Sequence, residues 1–339
     1  MKHHIAFFDL SPDDTKAIKA YFHDHEDVEL TLIKDGLNEI TVEEARQADI
    51  ISVFVSSKVT AELISKIPKL KLIVTRSTGF DNVDFEAAKK HGAAVCNVPG
   101  YGENTVAEYA FSLLLSVSRK LVPALENARS GRIDHVGLTG FDLKGKTLGV
   151  IGTGRIGKHV IRIGQGFEMK VIGFDPYPNN NLASELGYEY APLNDLLGQS
   201  DVVTIHAPYT KDNHHLIDAD ALALMKPSAV LINTARGEIV DTKALVEALL
   251  ESRLGGAGLD VVERENLMNL DDELELLTAP RPSKELTFIA EHMILEKLPN
   301  VVLSPHNAFN TNEALARIRN TSLQNINAFL TGTPQNQVG

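Results

Sequence analysis

The chain has 339 residues, of which 43% are hydrophobic and 23% charged, a composition typical of a folded globular protein and long enough for two domains. The formal net charge of -12 disfavours nucleic acid and anionic membranes as partners, although a local cation could still hold a small anionic substrate. The sole cysteine, Cys96, excludes an intrachain disulfide. Because neither a secretory leader nor a long apolar span is evident, we expect a cytoplasmic protein that does not cross a membrane.

Short apolar runs alternate with segments of helical periodicity in the first part of the chain. This alternation predicts βαβ units and a parallel sheet covered on both faces. The expected strands are Ile5–Leu10, Val28–Ile33, Ile50–Val55, Leu70–Thr75 and Ala94–Val98, and the expected helices are Asp13–His23, Val42–Gln47, Thr60–Ile67 and Phe85–His91.

Pro99-Gly100 ends this alternation, and a long helical pattern follows. Apolar residues at spacings of three and four predict one helix over residues 103–129, which Gly131 would end. Because the helix is long for one domain, we expect it to bridge two.

A second alternation begins at Thr147. The expected strands are Thr147–Ile151, Val171–Asp175, Val202–His206, Ala229–Asn233 and Ala257–Val261, with helices between them. A polar, loop-like insert follows, Asn266–Pro299, which is unusually long for a compact domain. One more strand, Val301–Ser304, and a helix from Asn312 to Phe329 complete the chain.

The strand Thr147–Ile151 runs directly into Gly152-Thr153-Gly154-Arg155-Ile156-Gly157, which then opens a helix. This is the G-x-G-x-x-G motif in the strand–turn–helix context that dinucleotide binding requires. Gly152 would allow the tight turn, Gly154 the approach of the pyrophosphate, and Gly157 close packing of helix and strand. Backbone N–H groups of Arg155 and Ile156 would hold the phosphates.

Asp175 stands at the end of the next strand, where an acid can accept hydrogen bonds from the adenine-side ribose. Its charge would repel a 2′-phosphate, which favours NAD over NADP as the cofactor. The alternative is that Asp175 is a turn residue before Pro176.

Three further ionisable residues follow predicted strands of the second alternation: Arg236, Glu265 and His306. Ligands of such sheets bind beyond the carboxyl ends of the strands, so these side chains are candidates for one site. Arg236 could hold a substrate carboxylate and polarise a carbonyl, His306 could exchange a proton with the carbonyl oxygen, and Glu265 could orient His306 and raise its pKa. Taken singly, each could instead be an ordinary polar loop residue; together they favour reduction of a 2-keto acid.

At this point the sequence resembles the D-isomer-specific 2-hydroxyacid dehydrogenases over nearly its whole length. The segments that carry the resemblance are 76–84, 97–101, 152–157, 233–237, 258–261 and 304–306. The resemblance implies an α/β fold of two doubly wound parallel-sheet domains with a cleft between them. A flavodoxin-like substrate domain would comprise residues 1–100 and 304–339, and a Rossmann NAD domain residues 101–303.

The family pattern also implies roles for individual residues. Arg236, Glu265 and His306 would be the catalytic set, and no residue is assigned to a metal. The implied cofactor contacts are Gly152, Gly154, Arg155, Ile156, Gly157, Asp175, His206, Ala207, Pro208, Thr234, Ala235, Arg236 and Asp260, the last of these near the nicotinamide amide. The implied substrate contacts are Thr78, Gly79, Tyr101, Arg236, His306 and Phe309. The long helix after Gly100 would form a homodimer interface.

Within the family, Tyr101 and the run His306-Asn307-Ala308-Phe309 are most similar to the D-lactate dehydrogenase branch. The implied reaction is therefore NAD-dependent reduction of pyruvate to D-lactate. The same chemistry on a bulkier 2-keto acid, on glyoxylate or on hydroxypyruvate remains open. So does an NAD(H)-sensing, corepressor-like binding protein of the same fold, although the short flanks favour the enzyme.

Overall fold

The computed structural model describes residues 2–268 and 282–338 and divides into two compact units. One unit comprises Met1–Tyr101 and Thr311–Gly339, and the other Gly102–Asn310. The first boundary lies within one residue of the predicted one. The second follows Asn310 rather than preceding Ser304, because Ser304, Asn307 and Ala308 are hydrogen-bonded to Asp260 of the second unit.

The first unit is built on a five-stranded parallel sheet of order β2-β1-β3-β4-β5. Its strands are β1 His3–Phe7, β2 Val28–Leu32, β3 Ile50–Val53, β4 Leu72–Thr75 and β5 Ala94–Cys96. Its helices are α1 Pro12–Tyr21, α2 Ala61–Ser65, α3 Phe85–His91 and the C-terminal helix Asn312–Leu330, numbered α12 in chain order. The predicted α3 is confirmed at both ends, and the other expected strands and helices, except the helix expected at Val42–Gln47, are found with ends shifted by a few residues.

Both faces of this sheet are buried, as the continuous apolar runs of the strands predict. Ala6, Ile51 and Ile73 belong to the core on one face. Neighbouring residues of the same strands belong to the core on the other face, which also receives Leu323 and Ile326 of α12. The C-terminal helix is thus part of the first unit.

The second unit contains a seven-stranded parallel sheet of order β12-β11-β10-β9-β6-β7-β8. Its strands are β6 Thr147–Ile151, β7 Lys170–Phe174, β8 Glu189–Tyr190, β9 Val202–Ile205, β10 Val230–Asn233, β11 Gly256–Leu259 and β12 Val301–Leu303. Its helices are α4 Glu103–Ser118, α5 Leu121–Arg129, α6 Arg155–Gly166, α7 Asn180–Leu186, α8 Leu193–Gln199, α9 Ala219–Leu224, α10 Thr242–Leu250 and α11 Ser283–Lys297. The chain runs from β6 to β7 and β8 on one side and continues with β9 on the other. The strand order therefore reverses at β6, where ligands of open α/β sheets bind.

The prediction of one helix over 103–129 was wrong. The segment forms α4 and α5, separated at Lys120, whose φ of 48° lies in the left-handed region. Pro123 accounts for the break, since a proline inside a helix clashes with the carbonyl four residues earlier, here that of Arg119. Within the second unit, α4 packs against α6 and against β10 and β11.

The insert was also wrongly predicted to be loop throughout. Its second half is the helix α11, which buries Ile289 and Leu295 at 9% and 0% exposure. Charged residues interleaved with these apolar positions hide the helical pattern. Residues 269–281 of the insert lie outside the described residues.

Two smaller elements also differ from the prediction. The helix expected at Val42–Gln47 is a 3₁₀ helix, Thr41–Ala45, and the short strand β8 was not predicted. None of the helices in the described part of the chain is both long and apolar enough to cross a membrane.

Candidate active site

The glycine turn lies between β6 and α6, at the reversal of strand order. Gly152 has a φ of 88°, and a Cβ at this position would lie 2.6 Å from the backbone nitrogen of Ala207. A Cβ at Gly157 would collide with the carbonyl oxygen of Gly152, so the helix can approach the turn only at a glycine. The predicted reasons for the first and third glycines, the tight turn and the close packing, are thus present in the structure.

Gly154 differs from these two because a Cβ there would meet open space. Contacts within the described protein therefore do not require a glycine at this position. As the N-cap of α6, Gly154 also supplies no side-chain acceptor for the N–H groups of the first turn. An anion above Gly154 could accept from the N–H groups of Arg155 and Ile156 and meet the positive end of the helix dipole.

The Asp175 carboxylate lies between this turn and the loop after β7. One oxygen accepts from the Thr153 N–H at 2.9 Å and from the Thr153 hydroxyl at 3.2 Å; the other accepts from the Tyr177 N–H at 2.9 Å. Asp175 thus makes the local hydrogen bond expected of a turn residue before Pro176, which was the alternative interpretation. Because a carboxylate can accept about four hydrogen bonds, it also retains capacity for ribose hydroxyls.

Replacing Asp175 by alanine should increase the use of NADP relative to NAD by about tenfold, since two like charges about 4 Å apart repel by on the order of 1–4 kcal/mol. The ratio of kcat/KM values for the two cofactors measures this effect. Glu185→Ala, which removes an exposed carboxylate on α7, is the matched control. An unchanged ratio would reduce Asp175 to a turn residue.

Several of the residues that the family resemblance assigns to the cofactor are buried polar residues at the ends of β9 and β10. Thr204 hydrogen-bonds Nε2 of His206 at 2.8 Å, and Thr234 approaches Nδ1 of the same ring at 3.5 Å. Burial lowers the pKa of His206 to about 3. His206 is therefore neutral near pH 7 and unsuited to donate a proton. Ala207 and Pro208 directly follow His206 in the chain, and Ala235 directly follows Thr234.

Arg236, Glu265 and His306 follow β10, β11 and β12, which are consecutive neighbours in the sheet. Since all these strands are parallel, the three residues follow the same edge of the sheet, as predicted. Asn233 shapes the turn that bears Arg236: its side-chain oxygen accepts from the Ala235 N–H, and its amide donates to the Arg236 carbonyl. Sequence reasoning did not identify this supporting role of Asn233.

His306 and Glu265 are in direct contact, with Nδ1 of the imidazole 2.6 Å from a carboxylate oxygen. The hydrogen bond to Glu265 raises the pKa of His306 against the opposing effects of burial and of the Arg236 charge. The predicted influence of Glu265 on His306 is thus found. Because Glu265 occupies Nδ1, the other ring nitrogen is left to exchange a proton with a ligand.

The loop that carries His306 is held by Asp260, which is 1% exposed. Its carboxylate accepts from the Ser304 hydroxyl at 2.6 Å and from the N–H groups of Asn307 and Ala308, both at 2.8 Å. Three hydrogen bonds thus fix the chain on both sides of His306, whose φ is 49°. The structure gives Asp260 a positioning role that sequence reasoning missed, because residue 260 is far from residues 304–308 in the chain.

The implied substrate contacts Thr78, Gly79 and Tyr101 belong to the first unit, and Phe309 to the second. The Thr78 hydroxyl donates to the Val98 carbonyl at 2.9 Å, and the backbone carbonyl of Thr78 accepts from the Asn97 side-chain amide at 2.7 Å. Within residues 2–268 and 282–338, no acceptor meets the N–H groups of Thr78 and Gly79. These two groups are therefore available to an anion.

A parallel sheet with a glycine turn at its strand-order reversal and an acid after the next strand defines a dinucleotide-binding α/β protein. The open space at Gly154, the free acceptor capacity of Asp175 and the buried polar residues around His206 all fit such a cofactor. The profile of the family described as "D-isomer specific 2-hydroxyacid dehydrogenase, NAD binding domain" matches residues 111–308. The chain belongs to the D-isomer-specific 2-hydroxyacid dehydrogenase family, and the second unit contains its NAD-binding domain.

Individual relatives carry different substrate names. The chain is 39% identical over 300 residues to the glyoxylate reductase of Thermococcus litoralis, covering 86% of this chain and 84% of the relative. It is 36% identical over 341 residues to the aromatic 2-oxoacid reductase of Clostridium sporogenes, covering 97% of each. Among solved structures, the D-lactate dehydrogenase of Aquifex aeolicus complexed with NAD and lactic acid matches with a TM-score of 0.85 and 36% identity, covering 97% of this chain and 96% of that one.

Proposed function

We propose that the protein transfers hydride between NAD(H) and C2 of a small 2-keto or 2-hydroxy acid, with pyruvate and D-lactate as the preferred pair. The observation that carries this proposal is the contact between His306 and Glu265. These two residues follow β12 and β11, and Arg236 follows the neighbouring strand β10. A proton donor of raised pKa and a fixed cation are the two groups that reduction of a 2-keto acid requires from the protein.

Each residue has a defined task in the proposed reaction. Arg236 holds the substrate carboxylate and polarises the C2 carbonyl. NADH, when bound, supplies the hydride that C2 receives. His306 gives its proton to the carbonyl oxygen, and Glu265 stabilises the imidazolium before this transfer. In the oxidative direction His306 removes the hydroxyl proton.

The resemblance of Tyr101 and of residues 306–309 to the D-lactate dehydrogenase branch makes pyruvate the first candidate. The relatives named above act by name on glyoxylate, aromatic 2-oxoacids or lactate, so these three classes are the ones to compare. Their enzyme names also favour a catalyst over the corepressor-like alternative.

A substrate panel tests the proposal. NADH oxidation is followed with pyruvate, glyoxylate, hydroxypyruvate and phenylpyruvate, and the product is analysed for chirality. We expect the highest kcat/KM with pyruvate and a D product. A higher value with another acid would reassign the substrate, and tight NADH binding without any turnover would refute the enzyme.

Glu265→Gln should move the alkaline limb of the reduction pH profile to lower pH. Reduction needs the imidazolium form, so the rate falls as pH rises through the raised His306 pKa. A glutamine removes the stabilising charge, so this pKa decreases and the rate falls earlier. The pH dependence of kcat/KM measures the shift, with Glu296→Gln as a control carboxylate on α11. An unmoved limb would contradict the assigned role of Glu265.

We also propose that the protein is a homodimer formed through α5. Leu121, Val122 and Leu125 of this helix are 46%, 38% and 47% exposed, and Ile133 and Val136 in the following loop are 94% and 79% exposed. A concentration of exposed apolar side chains is typical of a protein–protein interface.

Light scattering after size-exclusion chromatography tests the dimer. The expected mass is that of a dimer for the wild type and of a monomer for Leu125→Asp. Leu250→Asp, at a similarly exposed leucine on α10, should leave the dimer intact. A monomeric wild type would contradict the proposal.

A further inference from the structure

Two histidines and a glutamate converge beside the loops that follow β9 and β11. His214 and His215 lie in the loop after β9, and Glu263 lies shortly after β11. One potential ligand atom from each of the three residues lies within 4.8 Å of the others. The Nε2 atom of His215 is 2.9 Å from a Glu263 oxygen, and the rings of the two histidines stack with centroids 3.9 Å apart.

The protein positions Glu263 and His215 before any ion arrives. Glu263 is only 8% exposed, and its second oxygen accepts from the Thr242 N–H at 3.1 Å. The backbone N–H of His215 donates to the Glu238 carbonyl at 2.9 Å. His214 is exposed, so its ring can rotate to turn a nitrogen towards the other two ligands.

Negative charge accumulates around this cluster. An Asp241 oxygen lies 3.7 Å from Nδ1 of His215. Glu291 of α11 is 8% exposed, and burial together with the carboxylates of Asp241 and Glu263 raises its pKa. A bound cation would offset the repulsion among these carboxylates.

We propose that His214, His215 and Glu263 bind a divalent transition-metal ion such as Zn²⁺. Imidazole nitrogens with one carboxylate are a donor set that Zn²⁺ uses in proteins, whereas Mg²⁺ and Ca²⁺ prefer oxygen donors. The ion would replace the hydrogen bond between His215 and Glu263 with two coordinate bonds. Water would complete its coordination.

Such an ion would join loops that follow three neighbouring strands. His214 and His215 follow β9, Glu263 follows β11, and Glu263 is already hydrogen-bonded to Thr242 at the start of α10, after β10. The loops after β10 and β11 also carry Arg236 and Glu265. Binding should therefore stabilise the folded chain, since a ligand that binds only the folded state raises its stability.

Competition with a chromogenic chelator for Zn²⁺ tests the proposal on the full, metal-stripped chain. Loss of an outer-shell partner typically costs about 10–100-fold in metal affinity, so loss of a direct ligand in His214→Gln should cost at least about 100-fold. The matched control is His23→Gln, because His23 is an exposed histidine that also contacts a carboxylate, 2.7 Å away on Asp24, but has no third potential ligand among the described residues.

A second measurement separates binding from folding. His214 is exposed, so His214→Gln should melt like the wild type in the presence of a chelator. Zn²⁺ should raise the melting temperature of the wild type and of His23→Gln but not that of His214→Gln, and Mg²⁺ should have no such effect. Equal Zn²⁺ affinity in His214→Gln and the wild type, or no binding by the wild type, would overturn the proposal.

Discussion

Replacing His306 by alanine is expected to lower kcat for keto-acid reduction by about 10²–10⁴-fold, the usual contribution of a positioned general acid. His306 is suited to this task, whereas His206, at the same edge of the sheet, is not. Glu265 raises its pKa, whereas burial lowers the pKa of His206 to about 3 and keeps that ring neutral. Steady-state kinetics with NADH and pyruvate measure the effect.

The affinity for NADH should change little in the same variant, because the glycine turn and Asp175 lie at other strands of the sheet. Fluorescence titration of NADH measures this. His23→Ala, which removes a histidine whose side chain is 81% exposed, should leave both quantities unaltered. A wild-type rate in His306→Ala would remove His306 from the mechanism.

Replacing Arg236 by alanine is expected to lower kcat/KM for the keto acid by about 10²–10⁴-fold. A hydrogen bond to a charged group contributes about 1.5–3 kcal/mol, and a guanidinium can make two to one carboxylate. Asn233 holds the backbone of this turn through two hydrogen bonds, and the guanidinium donates to the Ala235 carbonyl at 2.8 Å. The kcat/KM for pyruvate is the measurement.

Two further variants sharpen the interpretation of this result. Arg236→Lys restores the charge but not the paired geometry, so its kcat/KM should lie between those of the wild type and the alanine variant. Arg253→Ala removes an arginine that pairs with Glu251 on the surface and should have no effect. If Arg236→Ala retained the wild-type kcat/KM, Arg236 would have no part in substrate binding.

Local patterns in the sequence were sufficient to predict the sheet framework and its main functional edge. Every predicted strand is present, because buried parallel strands are short, continuous apolar runs. The glycine turn was recognisable because its function depends on residues close together in the chain. Arg236, Glu265 and His306 could be grouped because parallel strands bring their carboxyl ends to one edge.

Other features could not be predicted from apolar spacing alone. The break at Lys120 depends on a left-handed residue that apolar spacing does not reveal, although Pro123 was a usable signal. The helix α11 depends on burial of Ile289 and Leu295, which charged neighbours mask in the sequence. The hydrogen bonds by which Asp260 positions the His306 loop join residues far apart in the sequence and are likewise visible only in the folded chain.

Direct hydride transfer to C2 of a 2-keto acid can be followed by isotope transfer from the cofactor to the product. NADH carrying deuterium at one or the other C4 position is turned over with pyruvate, and the lactate is analysed by mass spectrometry and NMR. We expect deuterium from one of the two C4 positions at C2 of the product, while deuterium from the other position stays on the nicotinamide. Lactate without deuterium from either position would contradict it.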